Sequence, residues 1–101
     1  MRKILRVEKS LLAFGNNLKI ARLKRRLPQT VVAERAGISV LTLQKLESGA
    51  SGVSLGNCAA VLFALGFDTP FADIASPNND ALGQRLTEME LPKRARIKKS
   101  D

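Results

Sequence analysis

The strongest constraint on this chain is the stretch from Gln29 to about Ser48, where two short apolar-periodic segments flank a glycine. Two helices can cross steeply over a short turn only if the side chains at the crossing are small and the turn residue tolerates positive φ. Ala33 and Ala36 supply the small contacts, and Gly37, four residues after Ala33, supplies the turn. Apolar residues then recur where a core would need them: Val32 before the turn, Ile38 in it, Leu43 and Leu46 after it. Leu43 and Leu46 lie one turn apart and point inward, which leaves Val40, Leu41, Gln44 and Lys45 on or near the outer face. The pattern is that of a helix-turn-helix, and a purely structural helical pair satisfies it as well.

The flanks read as more helix. Residues 1–9 are a charged arm, either a short strand or disordered, with Ile4, Leu5 and Val7 as its apolar content. Ser10 is a plausible N-cap for a helix to about Arg26, with Leu11, Phe14, Leu18 and Leu23 roughly in stripe. Pro28 breaks that helix and suits the start of the next, Gln29 to Ala36, which stops at Gly37. Ser39 caps a third helix from Val40 to about Ser48, closed by Gly49; Ser54 caps a fourth, Leu55 to Leu65, ended by Gly66. Thr69-Pro70 starts a short fifth through Ile74. Asp80 or a neighbouring Asn caps a last helix carrying Leu82, Leu86 and Met89, which Pro92 ends. The expected organisation is an arm (1–9), a helix-turn-helix domain (10–76), and a C-terminal helix with a basic tail (77–101).

Charge narrows the class of partner. Lys and Arg number 17 against nine acids, a formal +8 in 101 residues. Such a field attracts polyanions, nucleic acid first and anionic membrane second. With no Trp or Tyr and only four Phe, the core has to be aliphatic, which favours a helical domain over a sandwich. Cys58 is the only cysteine, so no intrachain disulfide framework or zinc cluster is expected. Met1 to Lys3 is basic like a signal peptide, but Arg6, Glu8 and Lys9 interrupt any apolar stretch after it. A cytoplasmic protein without a membrane span is the expectation.

The segments Leu27-Pro28-Gln29, Val32-Ala33-Glu34-Arg35-Ala36-Gly37-Ile38-Ser39 and Leu43-Gln44-Lys45-Leu46-Glu47-Ser48-Gly49 resemble the lambda-repressor/Cro (Xre) family, from about Leu18 to Ala75. The resemblance implies an all-α, lambda repressor-like five-helix domain whose third helix enters the major groove. It places a phosphate-contacting glutamine on Gln29 and pairs Arg22 with Glu47, a pair read here as structural rather than base-reading. Base-reading positions fall on Val40, Leu41, Gln44 and Lys45. Lys45 can donate to guanine O6 and N7, and Gln44 can address adenine or a phosphate. Val40 and Leu41 depart from the polar residues common there; thymine-methyl contact, a weak or non-specific helix, and packing on a protein partner all fit. Arg26 stands where relatives often place glycine.

Backbone anchoring is expected at helix N-termini, where free N–H groups and the dipole suit phosphate. That nominates Gln29 and Thr30, and Gly52, Val53 and Ser54, with Ser54 equally well a plain N-cap. Thr42 either meets a phosphate or is solvated, and one or two of Lys24, Arg25 and Arg26 reach the duplex. Family members dimerise on palindromic operators with half-sites about 34 Å apart. The candidate homodimer or partner contacts are Phe71 and Ile74, or Leu82, Leu86 and Met89, with Phe67 taken as core.

The chain has no His, no phosphate-cradling glycine loop and no partnered carboxylates, so no enzyme, metal or cofactor is expected. Cys58 reads as a small buried hydrophobe. Leu82-Gly83-Gln84-Arg85-Leu86, Leu91-Pro92-Lys93-Arg94-Ala95-Arg96, Gly52-Val53-Ser54-Leu55 and Val61 to Gly66 are similar to the HipB-like branch. That similarity implies a dimeric repressor of its own toxin–antitoxin operon, an antitoxin that also binds a HipA-like kinase toxin. A stand-alone metabolic or phage-type repressor and a bridging protein-interaction module are the alternatives. The tail Lys93 to Lys99 is a solubilising segment, a non-specific DNA contact or a toxin contact.

Overall fold

The computed structural model describes residues 4–68 and 70–94, with side chains through residue 90. Five α-helices follow one another: α1 (Leu5–Lys24), α2 (Gln29–Ala36), α3 (Val40–Glu47), α4 (Leu55–Ala64) and α5 (Ala81–Arg94). Two 3-10 turns, Pro70–Asp73 and Pro77–Asn79, lie between α4 and α5, and no strand occurs among the described residues. The chain divides into two compact units, Met1–Pro70 and Phe71–Asp101.

Within the first unit the ends of the helices are written in the sequence. Ser39 accepts the Thr42 N–H at 3.0 Å and Ser54 accepts the Asn57 N–H at 3.1 Å, each satisfying a donor the helix itself leaves free. At Gly37 (φ +71°) the chain reverses. Ile38 N–H reaches Ala33 O at 3.0 Å and Gly37 N–H reaches Glu34 O at 3.1 Å, the paired bonds of a Schellman turn. α1 ends the same way, but with Arg26 at φ +55°: Leu27 N–H bonds Arg22 O and Arg26 N–H bonds Leu23 O. A side-chain-bearing residue here carries a backbone strain that glycine would not.

α2 packs against both α3 and α4, and α1 lies against α3. The core is aliphatic: Leu18, Val32, Ala33, Leu43, Leu46, Cys58, Val61, Leu62 and Leu65 are buried, with Val32, Leu43 and Val61 wholly enclosed. Each of those three contributes about 1.5–3 kcal/mol of burial. Ile38 is half-buried beneath the turn.

The α1–α3 crossing is closer than side chains would allow. A Cβ at Gly15 would fall on the Leu46 carbonyl oxygen, and within 2.8 Å of the Glu47 carbonyl oxygen and 2.9 Å of the Gly49 nitrogen. Gly49 faces back at Leu12, whose Cα would lie 2.7 Å from a Cβ there. Two glycines on opposite sides of the contact bring the backbones together and set how α3 is presented.

Several expectations are corrected. The segment Leu5–Lys9 is neither strand nor disordered; α1 begins at Leu5 and runs through Ser10, which caps nothing. No residue there breaks a helix, and Leu, Arg, Glu and Lys all favour one. Leu23 is 52% exposed, and the inward line of α1 is instead Gly15, Leu18 and Arg22. The fifth helix expected over Thr69–Ile74 is a 3-10 turn at Pro70–Asp73. Phe67, expected in the core, is 45% exposed, because the reversal at Gly66 (φ +94°) turns it outward.

In the second unit Asp80 accepts the Gly83 N–H at 2.9 Å and so caps α5. Gln84 secures the preceding turn through Pro77 O at 2.7 Å. Pro92 does not end this helix, whose backbone continues to Arg94. A proline near a helix end forfeits one i→i−4 bond, while its fixed φ still suits the turn that follows. Residues 1–3 of the arm, Thr69 as a helix start and the tail from 95 onward lie outside the described residues. Helix order, all-α class and the tight α2–α3 turn are those of a lambda repressor-like domain.

Candidate nucleic-acid interface

α3 buries Leu43, Leu46 and Glu47 and turns its opposite face to solvent. On that face Leu41 is 59% exposed, Gln44 and Lys45 are exposed, and Val40 is half-buried. Val40 and Leu41 give the N-terminal turn an apolar surface, and Gln44 and Lys45 supply hydrogen-bonding groups one turn later. Thr42 is half-buried and tied to the cap, its hydroxyl oxygen accepting from Ser39 Oγ at 2.9 Å. Ser48 Oγ donates to Lys45 O at 2.8 Å, closing the helix end behind Lys45.

Behind this face is a polar cluster. Arg22 Nε donates to Glu47 Oε2 at 2.6 Å and Nη2 donates to Oε1 at 3.0 Å, a bidentate ion pair with both side chains over nine-tenths buried. The third guanidinium nitrogen donates to Leu27 O at 3.0 Å and so holds the α1–α2 loop. Gln29 Nε2 donates to the same Glu47 Oε1 at 3.0 Å, and Gln44 Nε2 donates to Gln29 Oε1 at 3.3 Å. α1, α2 and α3 thereby share one network, which replaces in kind the water these groups leave behind. Lys19, Gln29, Gln44, Glu47 and Ser48 line a small cleft of about 160 Å³ beside it.

Gln29 and Thr30 stand at the start of α2, where Pro28 occupies the cap position and provides no side-chain bond. The first N–H groups of α2 are therefore without a side-chain cap, and Thr30 is exposed. At α4, by contrast, Ser54 is occupied as a cap; Gly52 beside it is exposed and Val53 half-buried. Lys24, Arg25 and Arg26 are exposed at the end of α1. Arg25 is partly engaged, donating to Ala21 O at 2.9 Å with its guanidinium 5.1 Å from the Phe67 ring centroid, a cation–π contact.

The structure thus brings Gln29, Gln44, Arg22 and Glu47 together and leaves Lys45 and Leu41 free on the surface. Phe71 is half-buried, while Ile74, Leu82, Leu86 and Met89, all in the second unit, are 51–76% exposed. A larger cleft of about 610 Å³ in that unit presents Asp80 and Glu88, the wrong sign for a polyanion. Sequence reasoning missed three features. Lys19 reaches the cleft from α1, and its spacing of three from Arg22 was the available signal. Leu55 and Phe63 leave the outer face of α4 apolar, at 68% and 65% exposure, and their spacing of eight in a charge-free helix could have shown it. The Gln29–Gln44 bond had no local signal.

Cys58 is buried, and burial pushes its thiol up from the usual range. No cluster of three metal-ligating side chains occurs among the described residues, and none of their helices is long and apolar enough to cross a membrane. A family model described as a helix-turn-helix domain matches residues 13–71. No curated protein and no solved structure matches the chain.

Proposed function

Because this chain belongs to the helix-turn-helix domain family, we propose that it is a sequence-specific, non-enzymatic transcriptional repressor that reads duplex DNA with α3. The observation that carries this is the outer face of α3, where Gln44 and Lys45 stand exposed beside the uncapped start of α2. Lys45 addresses guanine O6 and N7, and Gln44 an adjacent base. Val40 and Leu41 meet thymine methyls. Gln29 and Thr30, with Thr42, Gly52 and Ser54, contact phosphates, which set register without carrying sequence.

The finer reading is a HipB-like antitoxin that acts as a homodimer on a palindromic operator, represses its own operon in the cytoplasm and binds a HipA-like kinase toxin. Its support is the likeness of the α4 and α5 segments to that branch, together with the exposed stripe Leu82, Leu86 and Met89 as a surface for the second copy or the kinase.

The test is binding to duplex DNA selected from a random library, measured across salt concentrations. The logarithm of the affinity should fall linearly with log salt, as counterion release requires. Lys45→Ala should cost about 1–3 kcal/mol and relax preference at one half-site position. Salt-independent binding with no response to Lys45→Ala would instead support a protein-bridging module built on Val40 and Leu41. Co-purification with a kinase tests the toxin partner separately.

A further inference from the structure

One helix of this basic protein has an outer face without charge. Residues 48–67 contain no Lys, Arg, Asp or Glu in a chain of which 26% is charged, and α4 is the one described helix that lacks them. Its inward residues are Cys58, Val61 and Leu62. Gly56, Ala59, Ala60 and Phe63, spaced i, i+3, i+4 and i+7, therefore share the opposite face, with Leu55 and Ala64 at its edges. Leu55 is 68% and Phe63 65% exposed, Gly56 is exposed, and Ala59 and Ala60 are half-buried. Two copies of a molecule with formal charge +8 repel each other, and least of all where they present no charge.

We infer that this face of α4 is where a second copy of the chain docks, the two α4 helices packing antiparallel about a twofold axis between Ala59 and Ala60. The inference rests on the homodimer in the reading above and names its interface, leaving Leu82, Leu86 and Met89 for a different partner. In a twofold contact, if one residue meets a second across the axis, the second meets the first. With the axis between Ala59 and Ala60, Gly56 meets the partner's Phe63, Ala59 the partner's Ala60, and Leu55 the partner's Ala64. Every large side chain falls opposite a small one. A parallel pair would instead set Phe63 against Phe63 and leave Gly56 facing Gly56. Gly56 is the hollow: a Cβ there meets nothing of its own chain within 4 Å, so the space above it is free for the partner's ring. Ala59 and Ala60 keep the helices close enough for that ring to reach. The ten residues of α4 make a face about 15 Å long. One such face covers less than the ~800 Å² per partner of a standard interface. The pair is therefore weak in free solution and is completed by duplex carrying two half-sites.

The test is sedimentation equilibrium of the full chain, free and with duplex selected from a random library. The wild type should self-associate at a concentration on the order of 0.1 mM. Phe63→Ala removes both rings from the contact and should lower association about a hundredfold or more. Its affinity for a single half-site should stay within about twofold of wild type. Gly56→Leu fills the hollow and should lower association as much, although leucine is the better helix former and should raise the melting midpoint of the single chain. Mixed in equal amounts, the two variants should associate again to within about tenfold of wild type. In the mixed pair the filled position 56 of one chain faces the emptied position 63 of the other, and the remaining contact is the native one. Association unchanged by Phe63→Ala, or a mixture no better than either variant alone, overturns the inference and leaves the dimeric repressor standing. A dimer that Leu86→Lys dissolves and Phe63→Ala does not would place the contact on α5 instead and overturn it likewise. A wild type that stays monomeric at millimolar concentration and binds selected duplex one chain at a time overturns the homodimer and the interface together. A dimer with the expected responses that ignores duplex keeps the interface and overturns the repressor.

Discussion

Gly15→Ala is the substitution whose outcome the α1–α3 crossing decides. In an isolated helix the change would stabilise by about 1 kcal/mol, because alanine is the better helix former. In this fold the added Cβ meets the carbonyl oxygens of Leu46 and Glu47 and the nitrogen of Gly49, the last two at 2.8 and 2.9 Å. Carbon and oxygen settle at about 3.3 Å or more, so α1 and α3 have to part by roughly half an ångström or more. All three opposing atoms are backbone, and no rotamer change relieves them. Overpacking of this kind costs about 1–3 kcal/mol, and the forced separation also stretches the Arg22–Glu47 pair that spans the same two helices. The upper end of that range, less the propensity gain, leaves a net loss of about 2 kcal/mol. For a domain this small that is a fall of about 10 °C in melting midpoint, read by circular dichroism. Gly56→Ala is the matched control: a Cβ there meets nothing within 4 Å, and it should stabilise by about 0.5 kcal/mol. A Gly15→Ala protein as stable as the wild type would refute the close-crossing argument.

Arg26→Gly should raise stability by about 1 kcal/mol by relieving the left-handed residue that ends α1, measured by urea denaturation; an unchanged midpoint would mean the turn carries no such strain. Glu47→Ala strands the buried Arg22 charge and should cost about 3–5 kcal/mol, enough to leave much of the chain unfolded at 37 °C. Cys58 should resist alkylation in the folded chain and react on unfolding. Since burial raises its folded-state pKa, the unfolded chain ionises first as pH climbs through the thiol range. The wild type should therefore lose more stability at alkaline pH than Cys58→Ala does, and parallel pH profiles for the two would contradict this.

Where the sequence carried its own punctuation, the fold was legible. Pro28, Gly37, Ser39, Gly49, Ser54 and Gly66 bracket α2, α3 and α4, and each of these helices matches its expected span to within a residue at either end. The start of α1 was not legible because Leu5–Lys9 contains neither breaker nor cap; continuing the helix needed no signal. Gly15 was silent for a different reason. A glycine inside a helical pattern reads as a mild propensity defect, and its use appears only once α3 lies across it. Phe67 shows the same limit: an aromatic after an apolar helix reads as core until the turn at Gly66 sends it outward. At the candidate site, spacing alone separated Leu43 and Leu46 from Gln44 and Lys45. Coupling of Gln29 to Gln44 spans fifteen residues across the turn and depends on three-dimensional distance.

The length of α3 also sets an informational bound. Eight residues make about 12 Å of helix, the run of three or four base pairs. A word of that size recurs about once in every few hundred base pairs of random sequence, among the millions of competing sites a genome offers. Improving any contact on α3 tightens binding at every one of those occurrences alike. A second α3 held at fixed spacing multiplies the rarity of the word instead, to about one occurrence in tens of thousands. For a reader this short, discrimination grows by joint occurrence, and affinity per contact can stay modest.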